Sequence, residues 1–168
     1  TPHSYSANPW TWPLMIRPTS FFYETKPTCG ADRCSQEVIP LGNPLIWWVG
    51  AIAIGLMIYF AVARRHSAAL PIAVAFAAGW VPWLFFPNRT VFSFYSVVFV
   101  PYTVMALALV LYLANGRVKS AKPIEHRWPA LTFLIVTAIL TAFFYPILTG
   151  HSLPYDMWHL RMWLPSWI

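Results

Sequence analysis

Four long apolar runs separated by short polar breaks organise the chain from residue 44 onward. The first extends over 44–63 and ends on Arg64, Arg65 and His66; the second covers about 68–86 and stops at Pro87-Asn88-Arg89. A third follows over about 91–114, and a fourth over about 129–149. Each approaches the roughly 20 residues that cross a hydrocarbon core of about 30 Å, so the pattern predicts four transmembrane helices. Residues 1–43 contain no such run: Pro9, Pro13 and Pro18 interrupt them, while Tyr5, Trp10 and Trp12 crowd the first dozen positions. Rigid bends and amphipathic rings predict a shaped loop at the membrane surface. After Gly150, the one-turn spacing of Tyr155, Trp158 and Met162 predicts an interfacial amphipathic helix that anchors the tail. The expected fold is an all-α integral membrane protein, with an N-terminal loop segment over 1–43 and a four-helix domain plus tail over 44–168.

Composition agrees. Of 168 residues 58% are hydrophobic and 10% charged, with a mean hydropathy of +0.56, far from the quarter-charged make-up of soluble domains. The net charge of +6 does not point to nucleic acid, because its cations lie between apolar runs rather than on one solvated face. Topology explains them. Arg64 and Arg65 follow the first run, and Arg117, Lys119, Lys122 and Arg127 follow the third, so both loops are expected in the cytoplasm. Residues 1–43, the turn 87–90 and the tail 150–168 then face outward, with both chain ends outside a cell membrane. The first residue is Thr1 and no leader pattern follows it, which reads as a processed or excised piece of a longer protein.

Cys29 and Cys34 fall in the outward segment, where an oxidising compartment favours a disulfide over two free thiols. No second Cys or His pair stands near them, so a metal site is not expected. Inside the runs, Ala51/Gly55 and Ala75/Gly79 form small-xxx-small pairs that let helices approach. Pro82 and Pro101 sit within predicted helices and are expected to bend them.

Chemical signals are sparse. There is no nucleophile elbow, phosphate-binding glycine loop or His-Glu-x-x-His motif, and the five acids, Glu24, Asp32, Glu37, Glu125 and Asp156, all lie outside the runs. Proton relays and ion pathways therefore have no intramembrane carrier. Arg89 stands just before the third predicted helix, with Thr90 placed to cap it. A guanidinium fork beside a helix N-terminus suits a lipid phosphate, and the alternative is an arginine snorkelling to headgroups. His3, His151 and His159 share the outer face without metal-ligand spacing. His3, Tyr5, Trp10 and Trp12, with hydroxyls at Ser4, Ser6 and Thr11, suit the C–H faces and hydroxyls of a sugar; a plain aromatic belt is the alternative.

The order His3-Ser4-Tyr5-Ser6, Pro9-Trp10-Thr11-Trp12-Pro13-Leu14, Arg17-Pro18, Leu41-Gly42-Asn43-Pro44 and Trp47-Trp48 resembles the C-terminal part of the protein O-mannosyltransferases. Gly79-Trp80-Val81-Pro82-Trp83, Arg89-Thr90-Val91-Phe92-Ser93-Phe94-Tyr95 and Pro101 extend the resemblance. The alanine-rich runs look like the actinobacterial branch. The resemblance implies a GT-C-class glycosyltransferase of family 39 that transfers mannose, with inversion, from a polyprenyl phosphate carrier to Ser or Thr of exported proteins. It implies carrier-phosphate contacts at Arg89 and Thr90, and sugar or acceptor contacts at His3, Trp10, Trp12 and Arg17. The family's general base lies in an upstream outer loop, so no catalytic residue and no cofactor are expected in these residues. Membrane lipid, the lipid-linked donor, secreted acceptor proteins and the N-terminal half of the same enzyme are the implied partners. The chain departs from many relatives at Ser93-Phe94-Tyr95, where a His-Tyr pair is common. A competing expectation is a non-catalytic membrane subunit that docks a partner through its aromatic loops.

Overall fold

A computed structural model describes residues 3–25, 27–87, 89–116 and 128–168. The cationic loop containing Arg117, Lys119, Lys122 and Arg127 lies outside these residues, as do Glu125 and Asn88. Five helices follow in order: α1 (Pro44–Ala63), α2 (Ala69–Leu84), α3 (Val100–Gly116), α4 (Trp128–Leu148) and the single turn α5 (Tyr155–His159). Helices α1 and α4, of 20 and 21 residues, are long and apolar enough to cross a membrane; α2 and α3 are apolar but shorter.

Local chemistry sets these boundaries. The Asn43 side chain accepts hydrogen bonds from the amides of Leu45 and Ile46 while Pro44 occupies the first turn, where its missing N–H costs nothing. The Asn43 amide group also donates to the Thr137 carbonyl and the Thr141 hydroxyl, both at 2.9 Å, which ties α1 to α4.

The third apolar run does not form one helix from residue 91. It begins extended, passes through a 3-10 helix at Ser93–Val98, and becomes α-helical only at Val100. Pro101 explains the division: it has no N–H to donate to the preceding turn, which only the first turn of a helix tolerates. Pro101 therefore starts α3 instead of bending it, and Thr90 does not cap it. Pro82 does lie within α2.

The α1–α3 crossing is close at Gly50, where an added Cβ would fall 2.4 Å from a Thr103 methyl, and it buries Ala53 and Met57. Gly55, expected at an interface, faces open space, whereas Gly79 does pack against Val98 and Phe99.

The all-α expectation needs a second correction. A small antiparallel sheet, in the order β1 (Phe22–Glu24), β2 (Cys34–Val38), β3 (Leu153–Pro154), sits at the end of the bundle where α1 and α3 begin. Phe22 pairs with Val38 and Cys34 with Pro154. The disulfide Cys29–Cys34 forms, with Cα atoms 5.9 Å apart, and closes the loop entering β2.

Two cores result. One joins α1, α2 and α3 to the N-terminal loop through Trp12, Met57, Phe76 and Phe99; the other joins the sheet, the end of α4 and the tail through Ile39, Phe144, Trp158 and Trp167. The amphipathic tail helix predicted from the spacing of Tyr155, Trp158 and Met162 is thus only one turn. Trp158 and Met162 are buried in the second core, because the sheet and α4 offer them an apolar wall.

Candidate functional site

Two segments lie side by side over the ends of α1, α2 and α3. The amide of Ala7 donates to the Val91 carbonyl at 2.9 Å, and the Ser6 hydroxyl reaches the same oxygen at 3.4 Å. The imidazole of His3 stands edge-on to Phe92, 5.2 Å between ring centres. His3 therefore lies against the segment that follows Arg89 and Thr90, both of which are exposed and immediately precede Val91. The Nδ1 of His3 accepts from the Tyr5 amide at 3.2 Å, so the neutral ring carries its proton on Nε2. Arg89 closes a turn through its amide to the Phe86 carbonyl. With α3 starting eleven residues later, Arg89 has no α-helix N-terminus beside it, and its suitability for a phosphate rests on the guanidinium alone.

The 3-10 helix Pro9–Leu14 separates the two tryptophans. Asn8 caps it by accepting from the Trp10 amide at 3.0 Å. Trp10 is 60% exposed and meets the edge of Trp80, whose Nε1 donates to the Pro9 carbonyl at 2.8 Å. Trp12 is 1% exposed. Its Nε1 donates to the Ala7 carbonyl, its own carbonyl accepts from Trp47 Nε1, and its ring packs against Trp83 and Tyr95. No face of Trp12 is open to a sugar; it fixes the loop that carries Trp10 and His3.

Arg17 is similarly engaged. Its Nε and Nη2 donate to the Ser4 carbonyl at 3.1 and 3.0 Å, and its Nη1 donates to the Ser166 carbonyl at 3.1 Å. Arg17 is a framework residue, all three of its guanidinium nitrogens engaged with backbone carbonyls.

Beside this surface runs a groove of about 430 Å³, lined by Phe21, Leu41, Trp47, Phe94, Val97 and Val100 among others. This volume lies within the range of small-ligand sites. Phe94 joins groove to surface, stacked on Phe92 at 5.4 Å and touching Phe21 at 5.7 Å. Gly42 shapes the wall, because a Cβ there would sit 2.2 Å from the Trp47 ring. That ring cannot swing aside without losing its 2.9 Å bond to Trp12. Gly42→Ala is expected to cost about 1–3 kcal/mol by overpacking and to push Trp47 into the groove. A lowered melting temperature checks this; an unchanged one refutes it.

The sequence reading overlooked Glu37. It is 3% exposed, accepts from Trp158 Nε1 at 2.7 Å and bonds Ser20. Burial pushes its carboxyl above the usual carboxylate range, against the smaller opposing effect of those bonds. The available signal was the period-2 pattern that turns Ser35, Glu37 and Ile39 to one side of β2. With the folded-state value raised, the folded form holds its proton to higher pH than the unfolded one. Stability from this group is therefore greatest below the ordinary glutamate pKa and falls as pH rises through the folded value. Glu37→Gln retains an acceptor for Trp158, and thermal unfolding between pH 4 and 8 is expected to lose part of its downward slope. An identical slope in the variant contradicts this. Among the described residues, no three of His, Cys, Asp and Glu gather as metal ligands do.

Residues 1–167 match the family model described as the C-terminal four TMM region of protein-O-mannosyltransferase. The polyprenol-phosphate-mannose–protein mannosyltransferase of Mycolicibacterium smegmatis is 32% identical over 174 residues, covering 98% of this chain and 33% of that protein. The Mycobacterium tuberculosis protein of the same name is 30% identical over 171 residues, covering 98% and 32%. The chain therefore belongs to the protein O-mannosyltransferase family, as its C-terminal region, and spans about a third of the length of these relatives. In fold it is similar to a chain of the Saccharomyces cerevisiae protein O-mannosyltransferase Pmt1-Pmt2 complex bound to the sugar donor. The TM-score is 0.76 at 22% identity, covering 100% of this chain and 24% of that one.

Proposed function

We propose that these residues are the carrier- and acceptor-binding part of a membrane enzyme that moves mannose from a polyprenyl phosphate to Ser or Thr of exported proteins. The observation that carries this reading is the ring chain from the exposed imidazole of His3 through Phe92 to Phe94 at the wall of an apolar groove, with the exposed Arg89 three residues before Phe92. A lipid phosphate requires that combination: charge for the head and apolar walls for the chain. Trp10 offers an open ring for a sugar or acceptor.

In the proposed reaction a Ser or Thr oxygen attacks the mannose anomeric carbon, whose bond to the phosphate oxygen breaks. The electron pair stays on the phosphate, where the Arg89 fork and the His3 Nε2–H stabilise it. The acceptor proton goes to a base. Glu37 is buried against Trp158 and Ser20, so we assign the base to the rest of the enzyme, outside these residues.

All four apolar helices are taken as spans, α3 extended by its 3-10 entry. Arg64 and Arg65 lie at the end of α1 opposite the sheet, which under the positive-inside rule puts the sheet and the binding surface outside the plasma membrane. Leu134, Ile135 and Ile139 of α4 are exposed and face lipid or the enzyme's N-terminal half.

The test is transfer of labelled mannose from polyprenyl phosphomannose to a Ser/Thr peptide by the full-length enzyme in vesicles. Transfer competed by free polyprenyl phosphate supports the reading. Absence of transfer, with the peptide still bound, favours the docking-subunit alternative.

A further inference from the structure

We infer that residues Pro165–Trp167, acting through Arg17, position the His3–Trp12 loop for substrate, an inference that rests on the binding role proposed for that loop. Trp167 is 2% exposed and donates from Nε1 to the Met15 carbonyl at 2.9 Å. The Ser166 hydroxyl donates to the Ile16 carbonyl. The Ser166 carbonyl accepts from Arg17 Nη1, while Arg17 Nε and Nη2 hold the Ser4 carbonyl next to His3. Three consecutive residues, 15, 16 and 17, are thus gripped by two residues about 150 positions later, and the grip is passed on to the loop.

The other fixings of the loop lie elsewhere: Ala7 and Ser6 to Val91, His3 against Phe92, Pro9 to Trp80, and Trp12 in the core. None of them holds the Ser4 carbonyl, which among the described residues only Arg17 grips. Met15 adds a reason for an external hold, since it adopts a left-handed backbone with φ of 54°, a conformation costly for a non-glycine residue. Its carbonyl is one that Trp167 secures. The tail itself is anchored independently. Glu37 takes the Trp158 N–H, and Arg161, 7% exposed, donates to the Phe143 and Met157 carbonyls. Residues 165–167 are therefore a firm point against which the loop is set, and Arg17 is a positioning residue that does not touch substrate.

The experiment uses the full-length enzyme with Arg17→Ala, with the chain shortened after Leu164, and with both changes. Hydrogen exchange of the amides of Ser6, Ala7, Trp10 and Thr11 reads the loop directly, because each is hydrogen-bonded in the native loop. Both single changes are expected to speed exchange there and leave α1 unaffected. They are also expected to raise KM for peptide or carrier about tenfold, with kcat changed no more than about twofold, as mispositioning predicts. The shortened chain loses the Ser166 contact to Arg17 together with the holds on Met15 and Ile16, so the combined variant is expected to match the shortened chain, with Arg17→Ala adding nothing further. Protection retained in Arg17→Ala, additive effects, or a loosened loop with unchanged KM each overturn the inference. Arg17→Ala removes no core ring and carries the test where the shortened chain does not fold. The exchange arm needs no activity, so failure of the mannosyltransferase reading gives a different result from failure of this one.

Discussion

Replacing Arg89 with alanine in the full-length enzyme is expected to lower kcat/KM for mannose transfer by about a hundredfold while leaving the melting temperature in place. The magnitude follows from the chemistry assigned to the side chain. A charge-assisted hydrogen bond contributes about 1.5–3 kcal/mol, and each 1.36 kcal/mol is a factor of ten in rate. In the proposed reaction the leaving phosphate gains charge as the glycosidic bond breaks, so the loss is expected to fall on the transition state more than on carrier binding. Arg89 is exposed and its turn is held by its own amide, so truncation disturbs no core; surface changes of this kind stay within about 0.5 kcal/mol. Arg89→Lys restores charge but not the two-pronged geometry, and partial recovery is expected. Undiminished transfer by the alanine variant at an unchanged melting temperature removes Arg89 from the site.

The sequence revealed the long helices because a continuous apolar run needs no partner to be recognised. The α1 run ends at the same residues as the helix, bounded by the Asn43 cap and Arg64. The third run was misread for a related reason: hydropathy does not distinguish a 3-10 turn from an α-helix, and only Pro101 marked the division. The β2–β3 pairing was illegible because it joins Ser35 to Leu153, a contact that no local pattern encodes. The tail pattern had the correct period, but its apolar face meets α4 and the sheet instead of lipid. Within the candidate site, residue types were legible and their division of labour was not. His3, Trp10 and Arg89 are exposed as a binding role requires, whereas Arg17 and Trp12 are used up by the fold. A polar or aromatic side chain in a loop has the same appearance in sequence whether it faces a ligand or a carbonyl.

The tryptophan pair gives the sharpest separation of those two uses. Trp12→Ala is expected to destabilise the fold by about 3–5 kcal/mol, the usual loss for a buried aromatic. Trp10→Ala is expected to leave stability within about 0.5 kcal/mol and to raise KM for acceptor or carrier. The difference comes from the helix that holds them. In a 3-10 helix each residue advances a third of a turn, so positions two apart cannot share a face, and Trp12 points inward once Trp10 points out. Removing the Trp12 ring empties the space against Trp83 and Tyr95 and orphans the Ala7 carbonyl. Trp12→Phe restores most of the ring but not the N–H, so it is expected to recover all but roughly 1–2 kcal/mol. Thermal unfolding of the three variants beside their transfer kinetics decides the matter. Equal melting temperatures for Trp10→Ala and Trp12→Ala contradict the core assignment of Trp12. A Trp10→Ala enzyme with unchanged KM shows instead that the exposed ring belongs to the membrane surface and that the sugar binds on the His3 and Arg89 side alone.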